Sequence, residues 1–178
     1  MGISPIETRA YGHRFRSRLE ARWAVAFTEA RIAWQYEPEG FDLGDAGFYL
    51  PDFWLPQVKM WAEIKPDRPT DKEIIKAHAL VEQSAKPCLL LIGQPAAHAY
   101  WAIEDDPRWI TTTIAGIDIS AMDYCLFEGN DYHLHEARFY SGSGIAGDFP
   151  MPFDPDYGSH PAIAAALSAR FEHGESPR

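Results

Sequence analysis

Cysteine is scarce in this chain: two thiols, Cys88 and Cys125, stand among 178 residues. That is too few for the disulfide framework of a small secreted domain, so a reducing compartment is expected. Long hydrophobic runs are lacking too. No segment is apolar over the roughly 20 residues that a membrane helix needs, and the opening MGISPIETRAYGHRFRSR has no apolar signal-peptide core. Gly2 does not open a myristoylation signal, because Ile6 stands where Ser or Thr is required. The expectation is a cytoplasmic protein without a membrane partner. Internal repeats and low-complexity tracts are absent as well.

Positive charge is in short supply, with 16 Lys+Arg against 26 Asp+Glu and a net charge of −10. The deficit is unevenly spread. Residues 1–90 hold 12 basic against 13 acidic residues, a balance of −1, while residues 91–178 hold 4 against 13, a balance of −9. The basic clusters Arg14, Arg16, Arg18, Arg22 and Lys65, Arg68, Lys72, Lys76 all lie in the first half. A local basic face can follow phosphates under a negative total, although long-range steering is then weak. Taken singly, most of these charges read as solvated surface, Lys72 and Lys76 among them.

What is abundant is apolar and aromatic residue content, 46% and 13%, which specifies a folded globular protein. The length suits one domain with a proper core. Phe15, Leu19, Trp23, Ala26, Phe27 and Ala30 recur at helical spacing, predicting a helix from Ser17 to about Trp34. Residues 35–47, broken by Pro38, Gly40, Gly44 and Gly47, read as loop or irregular strand. Phe48–Leu55 and Val58–Lys65 read as two strands joined near Pro56-Gln57. On the second, Met60, Ala62 and Ile64 face one way, and Trp61, Glu63 and Lys65 the other.

Thr70-Asp71-Lys72-Glu73 is a capping box that opens a helix to about Ser84. Cys88–Ile92 follows as a uniformly apolar strand, covered on both faces and parallel to the strand before the helix. Tyr100–Ile103 and Trp109–Ile114 are further strand candidates. Tyr124–Glu128 and Tyr132–Tyr140 resemble a hairpin around Gly129-Asn130. Ser141 to Ser159 reads as an exposed linker. A last helix from Pro161 to about His173 carries Ile163, Ala166, Leu167 and Phe171 on one side.

Chemistry concentrates in Pro51-Asp52 and Glu63-Ile64-Lys65. If the turn centres between Gln57 and Val58, residues whose numbers sum to 115 face each other. Asp52 and Glu63 are then cross-strand neighbours able to share one metal ion, with Lys65 on the same face. Glu20, on the upstream helix, is a possible third carboxylate. Hard carboxylate oxygens suit Mg²⁺ or Mn²⁺, and such an ion lowers the pKa of a bound water and screens charge growing on a phosphate. A lysine beside it can orient or deprotonate that water, since a nearby cation shifts an ammonium pKa downward.

These residues resemble the PD-(D/E)xK nuclease superfamily, over roughly residues 15–92, where helix, hairpin, helix and strand follow the superfamily's αββαβ order. The helix, the Pro-Asp-Phe strand and the Glu-x-Lys-Pro strand end are similar to phage- and transposon-associated endonucleases. The resemblance implies metal ligation by Asp52, Glu63 and the Ile64 carbonyl oxygen, with Lys65 as catalytic lysine. Glu20 matches the glutamate that many members add from the first helix. Beyond Gly93 it implies nothing.

Each residue has a plainer alternative. Ser17-x-x-Glu20 is itself a capping box, and Lys65 could be only the ion-pair partner of Glu63. Arg16, four residues before Glu20, could contact a substrate phosphate or pair with Glu20. His133 and His135 share a strand face near Cys125, short of a complete zinc set. The fold expected is α/β: a mixed central sheet flanked by helices, with a β-rich C-terminal elaboration. Residues 1–95 form the core with the metal site, 96–140 add strands, and 141–178 hold linker and helix. The function expected is Mg²⁺-dependent endonucleolytic hydrolysis of DNA. The alternative is a non-catalytic binding or inhibitor protein whose acidic C-terminal half contacts a protein partner.

Overall fold

Fifteen regular elements follow one another in the computed structural model, which describes residues 6–57, 59–67, 69–95, 100–103, 112–114, 117–123, 140–141 and 161–171. They are β1 (Thr8–Ala10), β2 (His13–Phe15), α1 (Arg18–Glu29), β3 (Gln35–Tyr36), β4 (Phe41–Asp42), β5 (Phe48–Tyr49), β6 (Phe53–Leu55), β7 (Met60–Lys65), α2 (Asp71–Ser84), β8 (Cys88–Ile92), β9 (Tyr100–Ile103), β10 (Thr112–Ile114), β11 (Ile117–Asp123), β12 (Tyr140–Ser141) and α3 (Pro161–Ser168). A 3-10 turn at Gly44–Ala46 separates β4 from β5. A mixed sheet runs in the order β10-β11-β9-β8-β7-β6-β3, with β12 beside β11. The pair β7–β8 is parallel, and β6–β7 and β8–β9 are antiparallel. The molecule is thus mixed α/β with helices against a mixed sheet. No described helix is long and apolar enough to cross a membrane.

The alternation along β7 divides the interior in two. Met60, Ala62 and Ile64 join Leu89 and Leu91 of β8 in a cluster with Trp23 and Phe27 of α1 and Ala162, Ile163 and Ala166 of α3. Trp61 joins Cys88 and Leu90 on the other face, under Ile74, Ala77 and Leu80 of α2. The expected two-sided burial of Cys88–Ile92 and its parallel pairing with β7 are both present.

Helix α1 is shorter than the apolar stripe suggests. Ser17 caps it, and it ends at Glu29 rather than near Trp34. Arg31 turns left-handed (φ 56°), its N–H donates to Thr28 O, and the Ile32 N–H reaches back to Phe27 O at 2.8 Å. That is a Schellman closure, and the buried Ile32 and Phe27 supply its usual apolar contact. Helix α2 has the expected capping box, with Thr70 and Glu73 bonded reciprocally.

Other differences have local causes. The strand expected over Phe48–Leu55 is two strands: β5 pairs with β4, and β6 with β7 and β3. Pro51 has no N–H, and the Asp52 N–H donates to a side chain, so the ladder lapses between them. The next strand begins at Met60, because Lys59 is left-handed (φ 55°) and still belongs to the turn. Hairpin β1–β2, turning on Tyr11-Gly12 with both φ positive, was not expected; nor was β11.

Strand β9 stands where expected, and Thr112–Ile114 is the described part of the strand expected from Trp109. Ser141 pairs in β12. Helix α3 ends at Ser168, and Leu167 is 44% exposed rather than part of the buried side. Val58, Arg68, the hairpin expected within 124–139, the His133/His135/Cys125 group, residues 142–159 and His173 lie outside the described residues.

Candidate functional site

The register of β6 on β7 decides whether Asp52 can meet Glu63. Phe53 faces Ala62, Trp54 faces Trp61 and Leu55 faces Met60, each pair summing to 115 as expected. One step beyond, the Asp52 N–H donates to Glu63 Oε2 at 3.2 Å, and Asp52 Oδ2 accepts from the Ile64 N–H at 2.7 Å. Both carboxylates are buried, Asp52 at 3% and Glu63 at 5% exposure. Lys65 Nζ lies 2.9 Å from Glu63 Oε1 and 3.0 Å from Glu73 Oε1 at the start of α2.

Glu20 joins the same neighbourhood. Its Oε2 accepts from the Arg16 N–H at 3.1 Å and from the Tyr36 hydroxyl at 2.6 Å, and its Oε1 from the Ser17 hydroxyl at 2.7 Å. The capping contact is therefore real, although it reaches the amide of Arg16 rather than that of Ser17. Arg16 itself precedes the helix, so it does not lie on the α1 face that its spacing from Glu20 suggested. Its guanidinium crosses to Asp52 Oδ1 at 2.5 Å and to Glu37 Oε1 at 2.6 Å. The side chains of Lys72 and Lys76 differ: Lys72 is exposed, while Lys76 Nζ sits 5.9 Å from the Tyr49 ring centroid.

This arrangement sits where the carboxyl ends of β7 and β8 meet the amino ends of α1 and α2. The Gly93 N–H closes the strand ends on Lys65 O at 2.7 Å, and Trp23 Nε1 of α1 donates to Gly93 O.

Charge is unbalanced there. Glu20, Glu37, Asp52, Glu63 and Glu73 are countered by Arg16 and Lys65. Burial, then Glu63, then Glu20 push the Asp52 carboxyl well above the ordinary range, against the Ile64 amide and Arg16. Desolvation opposes the charge on Lys65, yet Glu63 and Glu73 together hold its ammonium above the usual value. Burial and then Glu63 raise the Tyr49 hydroxyl, and burial and then the bond to Glu20 raise that of Tyr36.

Among the described residues, no three His, Cys, Asp or Glu side chains form a ready metal-binding group. The geometry gives the reason. Every oxygen of Glu20, Asp52 and Glu63 accepts a protein hydrogen bond or ion pair, Arg16 taking Asp52 Oδ1 and Lys65 taking Glu63 Oε1. The donor set itself, hard buried oxygens in excess of their counter-cations, fits Mg²⁺ or Mn²⁺. Glu37, Tyr36, Tyr49 and Glu73 were not anticipated as parts of the site. Only Glu73 had a signal, the capping box that points it back along the loop from Lys65. No protein-family model, curated protein or solved structure significantly matches this chain.

Proposed function

We propose that the chain is a divalent-metal-dependent nuclease that hydrolyses phosphodiester bonds in DNA, acting as an endonuclease of the PD-(D/E)xK type. The observation that carries this reading is one pair of buried carboxylates, Asp52 and Glu63, each bonded to the other's strand, with the Lys65 ammonium 2.9 Å from Glu63. Buried acids are costly without counter-charge, and three of them, Glu20, Asp52 and Glu63, outnumber the two cations beside them, Arg16 and Lys65, an excess that a divalent ion would offset. Support also comes from the succession α1, β6, β7, α2, β8, which is the superfamily's αββαβ order once the three two-residue strands β3, β4 and β5 between α1 and β6 are set aside.

Asp52 and Glu63 would hold Mg²⁺, or Mn²⁺ as substitute, with Glu20 and the Ile64 carbonyl oxygen completing the protein donors. When bound, the ion supplies an acidified water and neutralises charge on the phosphate. Tyr36 and Ser17 hold Glu20 in orientation through their hydroxyls. Lys65, kept protonated by Glu63 and Glu73, donates hydrogen bonds that orient the attacking water or a phosphate oxygen. Arg16, half-exposed, exchanges its bond to Asp52 for a substrate phosphate.

Closed circular DNA, duplex and single-stranded, tests this directly because it has no ends. Cleavage is expected with Mn²⁺ or Mg²⁺ and not with EDTA, falling at least about a hundredfold in Asp52→Ala and Lys65→Ala. Folded variants that cleave as well as the unsubstituted protein, or a chain that cleaves nothing, would overturn it in favour of a binding protein acting through its acidic half.

A further inference from the structure

The sheet face that carries Asp52 and Glu63 continues, two residues further along each strand, into Trp54 and Trp61. Their ring centroids are 4.8 Å apart, and Phe41 meets Trp61 edge-on at 5.2 Å. These three aromatics line a cavity of about 570 Å³ together with Gln35, Glu39 and Lys86. That volume lies within the range of about 300–1,000 Å³ common for small-molecule sites. Trp61 is 5% exposed, and its buried Nε1–H has no acceptor among the described residues. An indole N–H can only donate, so this group is left wanting an acceptor.

We propose that this cavity is a nucleobase subsite. It takes an unpaired base from the strand whose phosphate lies at Asp52 and Glu63, and so favours single-stranded over fully paired DNA. The inference rests on the nuclease reading for that placement. Three features select a base over other groups. Aromatic faces accept the ring of any base without demanding a sequence. Lys86 and Glu39 oppose each other in charge, so the lining suits a neutral ring with polar edges and repels a phosphate from the carboxylate side. The Gln35 amide and Glu39 carboxylate are groups that bind the amino and ring-nitrogen edges of bases. Distance agrees as well: Trp54 and Trp61 are two residues from Asp52 and Glu63, about 7 Å along the strands, within reach of the neighbouring nucleotide.

The test is binding in EDTA, which separates recognition from cleavage. A 12-nucleotide single strand and the same sequence as a blunt hairpin duplex are titrated against the full chain, reading fluorescence anisotropy and tryptophan quenching. The expected result is tighter binding and quenching by the single strand, weakened roughly tenfold to a hundredfold in Trp54→Leu. Gln35→Ala and Lys86→Glu, both at exposed positions, should weaken it in the same direction while leaving the melting temperature unchanged. Equal binding of the two DNA forms, or binding unchanged in all three variants, overturns the subsite. Circular DNA still cleaved alongside that result leaves the nuclease reading intact. Variant-sensitive single-strand binding by a chain that cleaves nothing keeps the subsite and removes the nuclease.

Discussion

Asp52 is the residue on which pH acts most directly. Its buried carboxyl, facing Glu63 and Glu20, keeps a proton that the unfolded chain gives up near pH 4. The native state therefore binds more protons than the unfolded state above that pH. Its stability falls as pH rises from the ordinary carboxylate range through the raised one. Unfolding free energy measured in EDTA should decline over that window, and Asp52→Asn should flatten the decline; an unchanged slope in the variant would count against the burial. Divalent cation should act the other way. Mn²⁺ at a hundred times its dissociation constant adds about 2.7 kcal/mol to a protein that binds it only when folded. The corresponding rise in melting temperature should vanish in Asp52→Asn and Glu63→Gln. At this scale the meeting of Asp52, Glu63 and Lys65 was legible, because hairpin spacing and strand alternation bring them to one place. The Arg16 bond to Asp52 and the Tyr36 bond to Glu20 were not, since they join residues 36 and 16 positions apart by folding alone.

Among elements, the β6–β7 hairpin matters most, because a slip of one residue would turn Asp52 away from Glu63. Phe53 pins that register. It is wholly buried, with the rings of Phe15, Phe27, Trp34 and Tyr36 within 5.4–6.2 Å of its centroid. Phe53→Ala is expected to cost about 3–5 kcal/mol in chemical denaturation, with the proposed DNA cleavage lost in proportion to the unfolded fraction. Helix α2, β8 and the hairpin register could be read in advance: a capping box, an apolar run and a short turn are local signals. The end of α1 could not, because the residue that turns left-handed is Arg31 rather than a glycine. The break at Pro51-Asp52 escaped reading for a related reason, as a side chain takes the place of a ladder partner.

Over the whole molecule, the last described helix belongs to the same interior as the first. Arg22 Nη1 of α1 donates to Leu167 O at 2.7 Å, and Ala162, Ile163 and Ala166 of α3 fill the cluster around Trp23. Contrasting substitutions test this placement. Ala166→Glu buries an unpaired carboxylate and should cost about 3 kcal/mol or more. Leu167→Glu, on the exposed side, should stay within about 0.5 kcal/mol. Equal losses in the two would place the helix elsewhere.

Residue order alone was enough for the mixed α/β class, the two faces of β7 and the pairing of Asp52 with Glu63, because side-chain alternation and turn length act over neighbours in the chain. Folding in three dimensions decided the rest. It brought Glu20 and Arg16 to the hairpin, set Glu73 on Lys65 and packed α3 against α1. Such contacts depend on how separate elements share one buried volume and one set of hydrogen bonds, and no local pattern encodes that.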